Sequence, residues 1–295
     1  MKKVLITGRN SYVGNSFTQW VDNNPEIKIE KISLRNNDWR DKDFSSYDVV
    51  LHVAGIAHVS TDPELEQQYY KINRDLTIEI AKKSKLDGVK QFIFMSSIIV
   101  YGDSISSGMI TKETVPNPAN FYGKSKLEAE DGIQSLQSKD FKIAVVRPPM
   151  IYGRDSKGNY PKLAKLAKFT PLFPDLNNKR SMLHIDNLSE FLKLIIIAND
   201  KGYFFPQNKE YVRTSKMVKL IADKHGKNVK LVKIFNPIFK PFISRVGLLN
   251  KVFGDLYYSQ DMIATGDYQI NDLKKSIEET ESRNMENEKK STFSS

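Results

Sequence analysis

The fold of this chain is decided by the stretch Lys3-Val4-Leu5-Ile6-Thr7-Gly8-Arg9-Asn10-Ser11-Tyr12-Val13-Gly14. It begins with a short, mostly apolar run typical of a buried parallel strand, and a glycine-bearing turn follows directly. After Gly14, apolar residues recur at helical spacing to about residue 23, so we expect the turn to open a helix. A strand, a glycine turn and a helix N-terminus in this order can receive a pyrophosphate. Ser11 stands where such turns usually carry their middle glycine, and it is small enough for the same close approach.

Strand-like and helix-like segments then alternate along the first half of the chain. We expect strands near residues 3–7, 27–34, 48–53, 91–96 and 142–147, and helices near residues 14–23, 65–87 and 119–138. This alternation predicts an α/β fold, a Rossmann-type doubly wound parallel sheet with helices on both faces. The alternation fails after Gly153, which indicates a smaller C-terminal lobe.

A second motif, Tyr122-Gly123-Lys124-Ser125-Lys126, indicates a chemistry. Tyr122 and Lys126 lie four residues apart, so on a helix they share one face. The ammonium can then favour the ionised phenol and lower a pKa that is ordinarily about 10. The alternative interpretation is a solvated helix face with an ordinary lysine. Ser97, upstream in Met95-Ser96-Ser97, can donate a hydrogen bond to a developing oxyanion, or can simply satisfy backbone groups at a strand end.

Several motifs in register resemble the extended short-chain dehydrogenases/reductases of the nucleotide-sugar epimerase/dehydratase group. The matching segments are Thr7 to Gly14, His52-Val53-Ala54-Gly55, Asn73, Ser97, Tyr122 with Lys126, Arg147 to Gly153, and Arg180 to Asn187. The resemblance implies a catalytic tetrad of Ser97, Tyr122, Lys126 and Asn73. In it, Lys126 tunes Tyr122 and holds the nicotinamide ribose, and Asn73 supports a water relay behind Lys126.

The resemblance also implies how the chain is divided. We expect a dinucleotide-binding Rossmann domain over residues 1–153, to which a helix near 187–200 returns, and a discontinuous substrate lobe over residues 154–186 and 203–275. Residues 281–295 are polar with little to bury, so we expect a disordered tail. A homodimer through the helices near 65–87 and 119–138 is expected from the family.

The cofactor is expected to contact the glycine turn and the ends of the second and third strands. The candidate residues are Gly8, Arg9, Ser11, Tyr12, Val13, Gly14, Arg35, Ala54 and Gly55. Enzymes that select NAD commonly place a carboxylate after the second strand, whereas a 2′-phosphate is bound by arginine. Arg35 ends that strand here and Arg9 lies in the turn, so NADP(H) is favoured and NAD(H) stays open. The alternative is that both arginines point into water.

Residues around the tetrad distinguish reactions within this group. Dehydratases of the group carry an Asp-Glu pair directly after the catalytic Ser or Thr, but Ile98 and Ile99 follow Ser97 here. UDP-galactose 4-epimerases carry an Asn where this chain has Met150. The chain therefore looks most like capsular 4-ketoreductases of the CapN type, which reduce UDP-4-keto-6-deoxy-hexosamines, and Arg180 would then bind the diphosphate of the UDP-sugar. A UDP-sugar 4-epimerase and a non-catalytic dinucleotide sensor are the alternatives.

Composition limits the other functions. The 295 residues contain no cysteine, so thiolate and disulfide chemistry are excluded, and we expect no metal site. The net charge of +10 suits two pyrophosphates, and we expect no nucleic-acid partner because no stacking-aromatic motif is present. The start Met1-Lys2-Lys3 leads straight into a strand and no apolar run reaches bilayer length, so we expect a cytoplasmic protein. The apolar and basic segment 235–253 indicates lobe packing or peripheral membrane contact.

Overall fold

A six-stranded parallel sheet forms the centre of the computed structural model, which describes residues 1–57, 62–102, 108–234, 236–237, 247–263 and 266–282. The strands of the chain are β1 Lys2–Thr7, β2 Ile27–Ile32, β3 Val49–His52, β4 Gln91–Met95, β5 Met109–Ile110, β6 Lys142–Val146, β7 Met150–Tyr152, β8 Leu172–Pro174, β9 Met182–His184, β10 Gly202–Phe204, β11 Lys230–Val232 and β12 Tyr257–Tyr258. The order in the main sheet is β2-β1-β3-β4-β6-β10, with every pair parallel. The predicted Rossmann-type α/β fold is confirmed.

Helices cover both faces of this sheet. The helices of the described residues, in this domain and in the smaller lobe, are α1 Tyr12–Trp20, α2 Glu66–Tyr69, α3 Leu76–Leu86, α4 Phe121–Gln134, α5 Asn159–Phe169, α6 Ile185–Ala198, α7 Thr214–Lys224 and α8 Gly247–Phe253, and residues 273–282 are also helical. Successive side chains of a strand point to opposite faces. Val4 and Ile6 therefore pack into a core with α1 and α6, whereas Leu5 packs on the other face with α3 and α4. This two-sided burial explains the continuous apolar strands in the sequence.

The five predicted strands are all present, each within two residues of its expected ends. The sixth strand, β10, was not predicted, because it is three residues long and leaves Tyr203 40% exposed at the sheet edge. The second segment of the predicted lobe begins at residue 203, but Phe204 pairs with Val146 in the main sheet. Tyr268, which falls inside the predicted lobe as well, packs into the core formed with α1 and α6.

The predicted helix over residues 65–87 is interrupted. A π-helical segment, Tyr70–Asp75, separates α2 from α3 and places Asn73 in the fully buried interior. Segments of this kind often accompany functional sites, because the extra residue in the turn redirects the side chains that follow.

The smaller lobe has its own apolar core between α5 and α7. Its strands form three parallel two-stranded sheets, β7 with β9, β8 with β11, and β5 with β12. Phe173, Val218 and Ile221 are buried between these elements, and Leu273 and Ile277 from the final helix close the core. None of the helices in the described ranges has the length and apolar character that crossing a bilayer requires.

Two expectations concern the end of the chain. The tail was predicted to be disordered from residue 281, but the carboxylate of Glu281 is fully buried and accepts hydrogen bonds from Tyr160 (2.7 Å) and the His225 ring (2.6 Å). Residues 283–295 lie outside the described residues. In the apolar and basic segment 235–253, residues 235 and 238–246 lie outside the described residues as well, and α8 forms its C-terminal part.

Candidate active site

The predicted site residues follow the carboxyl ends of neighbouring strands. Gly8 follows β1, Ala54 and Gly55 follow β3, and Ser97 follows β4. In doubly wound sheets, ligands bind in the crevice outside these strand ends. The topology therefore brings together segments that lie far apart in the sequence.

The glycine turn between β1 and α1 depends on close backbone approaches. Gly8 has φ of +102°, and a Cβ there would lie 3.1 Å from the backbone nitrogen of Ala54. A Cβ on Gly14 would lie 2.5 Å from Ser11 Oγ, so both glycines are required by the packing. Ser11 caps α1, because its Oγ accepts a hydrogen bond from the Gly14 amide at 3.1 Å. The serine that replaces the middle glycine thus stabilises the helix N-terminus.

The residues of this turn fit a dinucleotide. The backbone comes close to the end of β2, since the amides of Gly8 and Arg9 each donate to the Ile32 carbonyl at 3.0 Å. Arg9 and Arg35 are exposed at that strand end, and Arg9 makes a long contact of 3.4 Å to the Lys31 carbonyl. Two cations therefore lie where the carboxylate of an NAD-selective enzyme would be expected.

Tyr12, predicted among the cofactor contacts, has its hydroxyl buried. This oxygen has no hydrogen-bond partner among the described residues. A Cβ on Gly153 would lie 2.9 Å from it, so the ring reaches the start of the lobe. Burial and the carboxylates of Asp186 and Asp155 raise the pKa of Tyr12, so its phenol is neutral.

Tyr122 approaches Ser97 because α4 packs closely on the turn that follows β4. Asn120 caps α4 by accepting from the Gly123 amide at 3.0 Å. A Cβ on Gly123 would lie only 2.9 Å from the Ile99 carbonyl oxygen, which makes glycine necessary there. Ser97 itself begins the 3₁₀ turn Ile98–Tyr101, since its Oγ accepts from the Ile99 amide at 3.3 Å. The Ser97 hydroxyl therefore caps the turn after β4, and it also lowers the pKa of the Tyr122 phenol, which places the two side chains close together.

The protonation of Tyr122 differs from the sequence-based expectation. Burial raises the pKa of Tyr122 to about 12, with the hydrogen bond from Ser97 acting in the opposite direction. Burial also lowers the pKa of Lys126 to about 8, while Glu130 opposes that shift. The predicted lowering of the phenol pKa by Lys126 is wrong for this structure, because desolvation dominates at both groups. Tyr122 is a neutral phenol that can give up a proton.

Lys126 and Asn73 meet beside Gly55. A Cβ on Gly55 would lie 3.2 Å from Lys126 Nζ and 2.9 Å from Asn73 Oδ1, so only glycine leaves this space open. The Asn73 amide is held firmly: Oδ1 accepts from the Ile56 amide at 2.9 Å, and Nδ2 donates to the Ile56 carbonyl (3.1 Å) and to Ser125 Oγ (3.2 Å). The structure therefore brings Asn73, Gly55, Ser97, Tyr122 and Lys126 into one cluster.

Arg180 lies in the lobe. Its Nη1 donates to the Gly254 carbonyl at 2.8 Å and contacts the Asn250 carbonyl at 3.4 Å, at the end of α8. Arg180 also lines a groove of about 890 Å³, and most of the other residues that line this groove, Met150 among them, are apolar. The cations of the groove are Lys162, Lys165, Arg180 and Lys251, and no carboxylate lines it within the described part of the chain.

Two buried polar networks were not predicted from the sequence. In the first, the ring of His52 bridges Thr7 (2.7 Å) and Thr77 (3.0 Å), beneath the glycine turn. In the second, Glu130 pairs with Arg147 inside the protein. The sequence offers little signal for this pair beyond the position of Glu130, four residues after Lys126 on the same helix face.

Three side chains of types that ligate metal ions lie close together in the lobe. One ring nitrogen of His184 and one carboxylate oxygen each of Asp186 and Glu279 fall within 4.8 Å of one another. His184 also contacts Thr280 at 3.3 Å and packs against the Tyr152 ring. This arrangement is compatible with a structural role of the histidine.

Known proteins resemble the chain along most of its length. A family model described as "NAD dependent epimerase/dehydratase family" matches residues 3–204. The chain is 30% identical to a UDP-glucose 4-epimerase of Vibrio cholerae, over 91% of this chain and 87% of that protein. It is also 30% identical to an N-acetyl-alpha-D-glucosaminyl-diphospho-ditrans,octacis-undecaprenol 4-epimerase of Escherichia coli O157:H7, over 68% of this chain and 65% of that protein.

Solved structures share the fold at low identity. A dTDP-4-dehydrorhamnose reductase of Bacillus anthracis in complex with NADP has a TM-score of 0.71 at 19% identity and covers 96% of this chain and 99% of its own. A UDP-glucuronic acid 4-epimerase of Bacillus cereus in complex with NAD has a TM-score of 0.70 at 16% identity, covering 95% and 96%. These likenesses concern the fold alone.

Proposed function

Because the chain belongs to the NAD dependent epimerase/dehydratase family, we propose that it reduces the C4 ketone of a UDP-4-keto-6-deoxy-N-acetylhexosamine with NADPH. The product would be a UDP-6-deoxy-hexosamine of the N-acetylfucosamine or N-acetylquinovosamine type, used in capsule or other polysaccharide synthesis. The observation that carries this proposal is the Ser97–Tyr122–Lys126 cluster together with two apolar residues, Ile98 and Ile99, which directly follow Ser97 in the sequence.

Ketone reduction needs one proton donor, whereas dehydration needs an additional acid and base. Ile98 is buried and can supply neither. Tyr122 is neutral because burial raises its pKa to about 12, which is the state that a general acid requires. The groups of the cluster therefore match the simpler reaction.

Each residue of the cluster has a defined step. When bound at the Gly8–Gly14 turn, the nicotinamide cofactor supplies the hydride that adds to C4. Tyr122 donates its phenolic proton to the C4 oxygen, so that ketone, hydride and proton give a secondary alcohol. Ser97 donates a hydrogen bond to the oxygen as its charge develops. Lys126, when charged, stabilises the phenolate left on Tyr122 until water returns the proton.

The lobe groove suits the diphosphate of the substrate. Lys162, Lys165, Arg180 and Lys251 supply four cations without a lining carboxylate in the described residues. Such a field attracts a diphosphate, and Arg180 is the guanidinium among these cations, the group suited to bidentate binding of a phosphate. Arg9 and Arg35 would bind the 2′-phosphate of NADPH, which makes NADP(H) the proposed cofactor.

A UDP-sugar 4-epimerase is the second candidate, favoured by the 30% identity to such an enzyme over 91% of the chain. Tyr122 would then act in both directions, taking the C4 hydroxyl proton as hydride leaves C4 and returning it as hydride comes back to the opposite face. This reaction consumes no cofactor, and the protein would keep its dinucleotide between turnovers.

One assay separates these candidates. NADPH absorbance is followed while the protein meets UDP-2-acetamido-2,6-dideoxy-4-hexulose, generated in place by a dehydratase, and the product is identified by NMR. Loss of NADPH with a new 6-deoxy sugar supports the reductase, and the C4 configuration identifies the product. Interconversion of UDP-hexoses without added cofactor would move the proposal to the epimerase. Dinucleotide binding without turnover of either substrate would indicate a sensor.

A further inference from the structure

Glu130 is a fully buried carboxylate one helical turn after Lys126 on α4. Both of its oxygens are occupied. Arg147 Nε donates to Oε1 and Oε2 at 3.1 Å each, and Arg147 Nη2 donates to Oε2. The Ser96 hydroxyl also donates to Oε1. Glu130 therefore joins helix α4 to the ends of two strands, β4 and β6.

Arg147 extends this network towards the turn that starts at Ser97. Its Nη1 donates to the Tyr101 hydroxyl at 2.7 Å, and Tyr101 is the last residue of that 3₁₀ turn. The guanidinium also lies over the Tyr203 ring, 4.6 Å from its centre. The Arg147 carbonyl accepts from the Tyr258 hydroxyl at 2.8 Å. The charges are thus enclosed by aromatic rings and the protein backbone.

The contribution of an ion pair to folding stability does not by itself explain why Glu130 and Arg147 are buried together. Removing two charges from water costs several kcal/mol per ion, and apolar replacements of buried ion pairs are often equally stable. The pair contacts the surroundings of the catalytic cluster on three sides: Ser96 precedes Ser97, Tyr101 ends the Ser97 turn, and Glu130 shares a helix face with Lys126. These contacts indicate a role in the reaction.

We propose that Glu130 is a positioning residue for the Ser97–Tyr122–Lys126 cluster, which holds the Ser97 strand end against α4 and keeps Lys126 charged. The inference rests on the proposed function, because it assigns Glu130 to the same proton-transfer site.

The other ionisable groups around Lys126 favour this assignment. Burial lowers the pKa of Lys126 to about 8, and Glu130 raises it again. From β3, His52 is neutral because burial lowers its pKa to about 3. From the same helix, Tyr122 is neutral as well. Arg147, from the end of β6, forms an ion pair with Glu130. In the described residues, Glu130 is thus the anion that opposes loss of the Lys126 proton.

The effect of Glu130 on the charge of Lys126 can be measured without an activity assay. NMR of protein carrying ¹³C-labelled lysine follows the titration of Lys126, whose signal is identified by its absence in Lys126→Met. In Glu130→Gln, which keeps the side-chain shape, the Lys126 pKa should fall by about one unit. The kcat of the proposed reduction should then fall about twofold at pH 7, where the charged fraction of Lys126 drops from about 0.9 to about 0.5, and about tenfold at pH 9 and above.

Two further variants distinguish the structural link to Ser97 from the effect of Glu130 on the charge of Lys126. Ser96→Ala removes the link to the Ser97 strand end but keeps the carboxylate, so kcat should fall while the Lys126 titration stays in place. Glu281→Gln is the matched control, because Glu281 is also a fully buried, hydrogen-bonded carboxylate on a helix, but lies in the lobe with Tyr160 and His225. It should change neither the Lys126 titration nor kcat.

If Glu130→Gln does not fold, the pair Glu130→Gln with Arg147→Met removes both buried charges together. Glu130, and not Arg147, is among the causes of the Lys126 shift, so the pair should still lower the Lys126 pKa. An unchanged titration, or an unchanged kcat despite a lowered pKa, overturns the inference. Failure of the proposed function has a different signature, because the wild-type protein would then lack reductase activity while the NMR shift in Glu130→Gln persists.

Discussion

Lys126 Nζ donates a 3.0 Å hydrogen bond to the carbonyl oxygen of Met95, the last residue of strand β4. The ammonium also lies over the Phe94 ring, 4.7 Å from its centre. Helix α4 is thereby attached to the strand that leads into Ser97. One side chain thus positions both halves of the proposed catalytic cluster before any substrate binds, which is the preorganisation that electrostatic catalysis requires.

Tyr122→Phe should remove proton donation and leave the site otherwise intact. We expect kcat to fall by roughly 10²–10⁴-fold, the usual contribution of a positioned general acid, while the Kd for NADPH is unchanged. Fluorescence titration and single-turnover kinetics measure the two quantities. The control is Tyr47→Phe, which removes a hydroxyl bonded to Glu30 outside the cluster. Full activity in Tyr122→Phe would exclude the proposed mechanism.

Arg9→Gln and Arg35→Gln should each weaken NADPH binding and leave NADH binding unchanged. A hydrogen bond to a charged group contributes about 1.5–3 kcal/mol, so the Kd for NADPH should rise about 10- to 100-fold. Calorimetric titration with both cofactors measures the preference. Arg40→Gln is the matched control, since Arg40 is exposed nearby in the chain but paired with Glu79 at 2.6 Å. Equal losses for NADH and NADPH would contradict a 2′-phosphate site.

The buried Lys126 should make folding stability depend on pH above neutrality. Its pKa falls from 10.5 in the unfolded chain to about 8 in the folded protein. The unfolded state therefore binds more protons between these values, and the free energy of unfolding rises with pH by about 3 kcal/mol over this window. The stabilisation is present above pH 10.5 and lost as pH falls through 8. Urea unfolding of wild-type protein minus Lys126→Met should show this difference; parallel curves would refute it.

His52 should produce a dependence of the same sign on the acid side. Burial lowers its pKa from 6.5 to about 3, so stability is present above pH 6.5 and lost as pH falls through 3. The loss should be on the order of 4 kcal/mol. Because Thr77 donates to the Asn73 carbonyl at 2.8 Å, its hydroxyl accepts from the ring, and the His52 nitrogen facing Thr7 is unprotonated. His52→Gln should lack this acid sensitivity in urea unfolding between pH 6.5 and 4; an equal loss in both proteins would contradict it.

Local patterns account for the parts of the structure that were predicted. The apolar strand before Gly8 and the helix after Gly14 lie close together in the sequence, so periodicity and glycine placement suffice for them. Tyr122 and Lys126 share a helix face for the same reason. The structure brings these residues to Ser97 and Asn73 as expected, which leaves their catalytic roles as predictions to be tested.

Long-range contacts account for what was missed. The edge strand β10 has three residues and no alternation, and only its pairing with residues 144–146 of β6 defines it as a strand. Glu130 looks like any helical glutamate until Arg147 is placed beside it. The raised pKa of Tyr122 also depends on the depth of burial, which a spacing of four residues does not reveal.

The pairing of β5 with β12 has a consequence for synthesis of the protein. Met109 and Ile110 pair with Tyr257 and Tyr258, so a segment made earlier waits for one made much later in the sequence. The Rossmann strands can assemble while the ribosome is still working. The surroundings of Arg147 are completed only after Tyr258 has left the exit tunnel. A chain stalled before Tyr258 would therefore lack both the strand that pairs with β5 and the hydroxyl that bonds the Arg147 carbonyl.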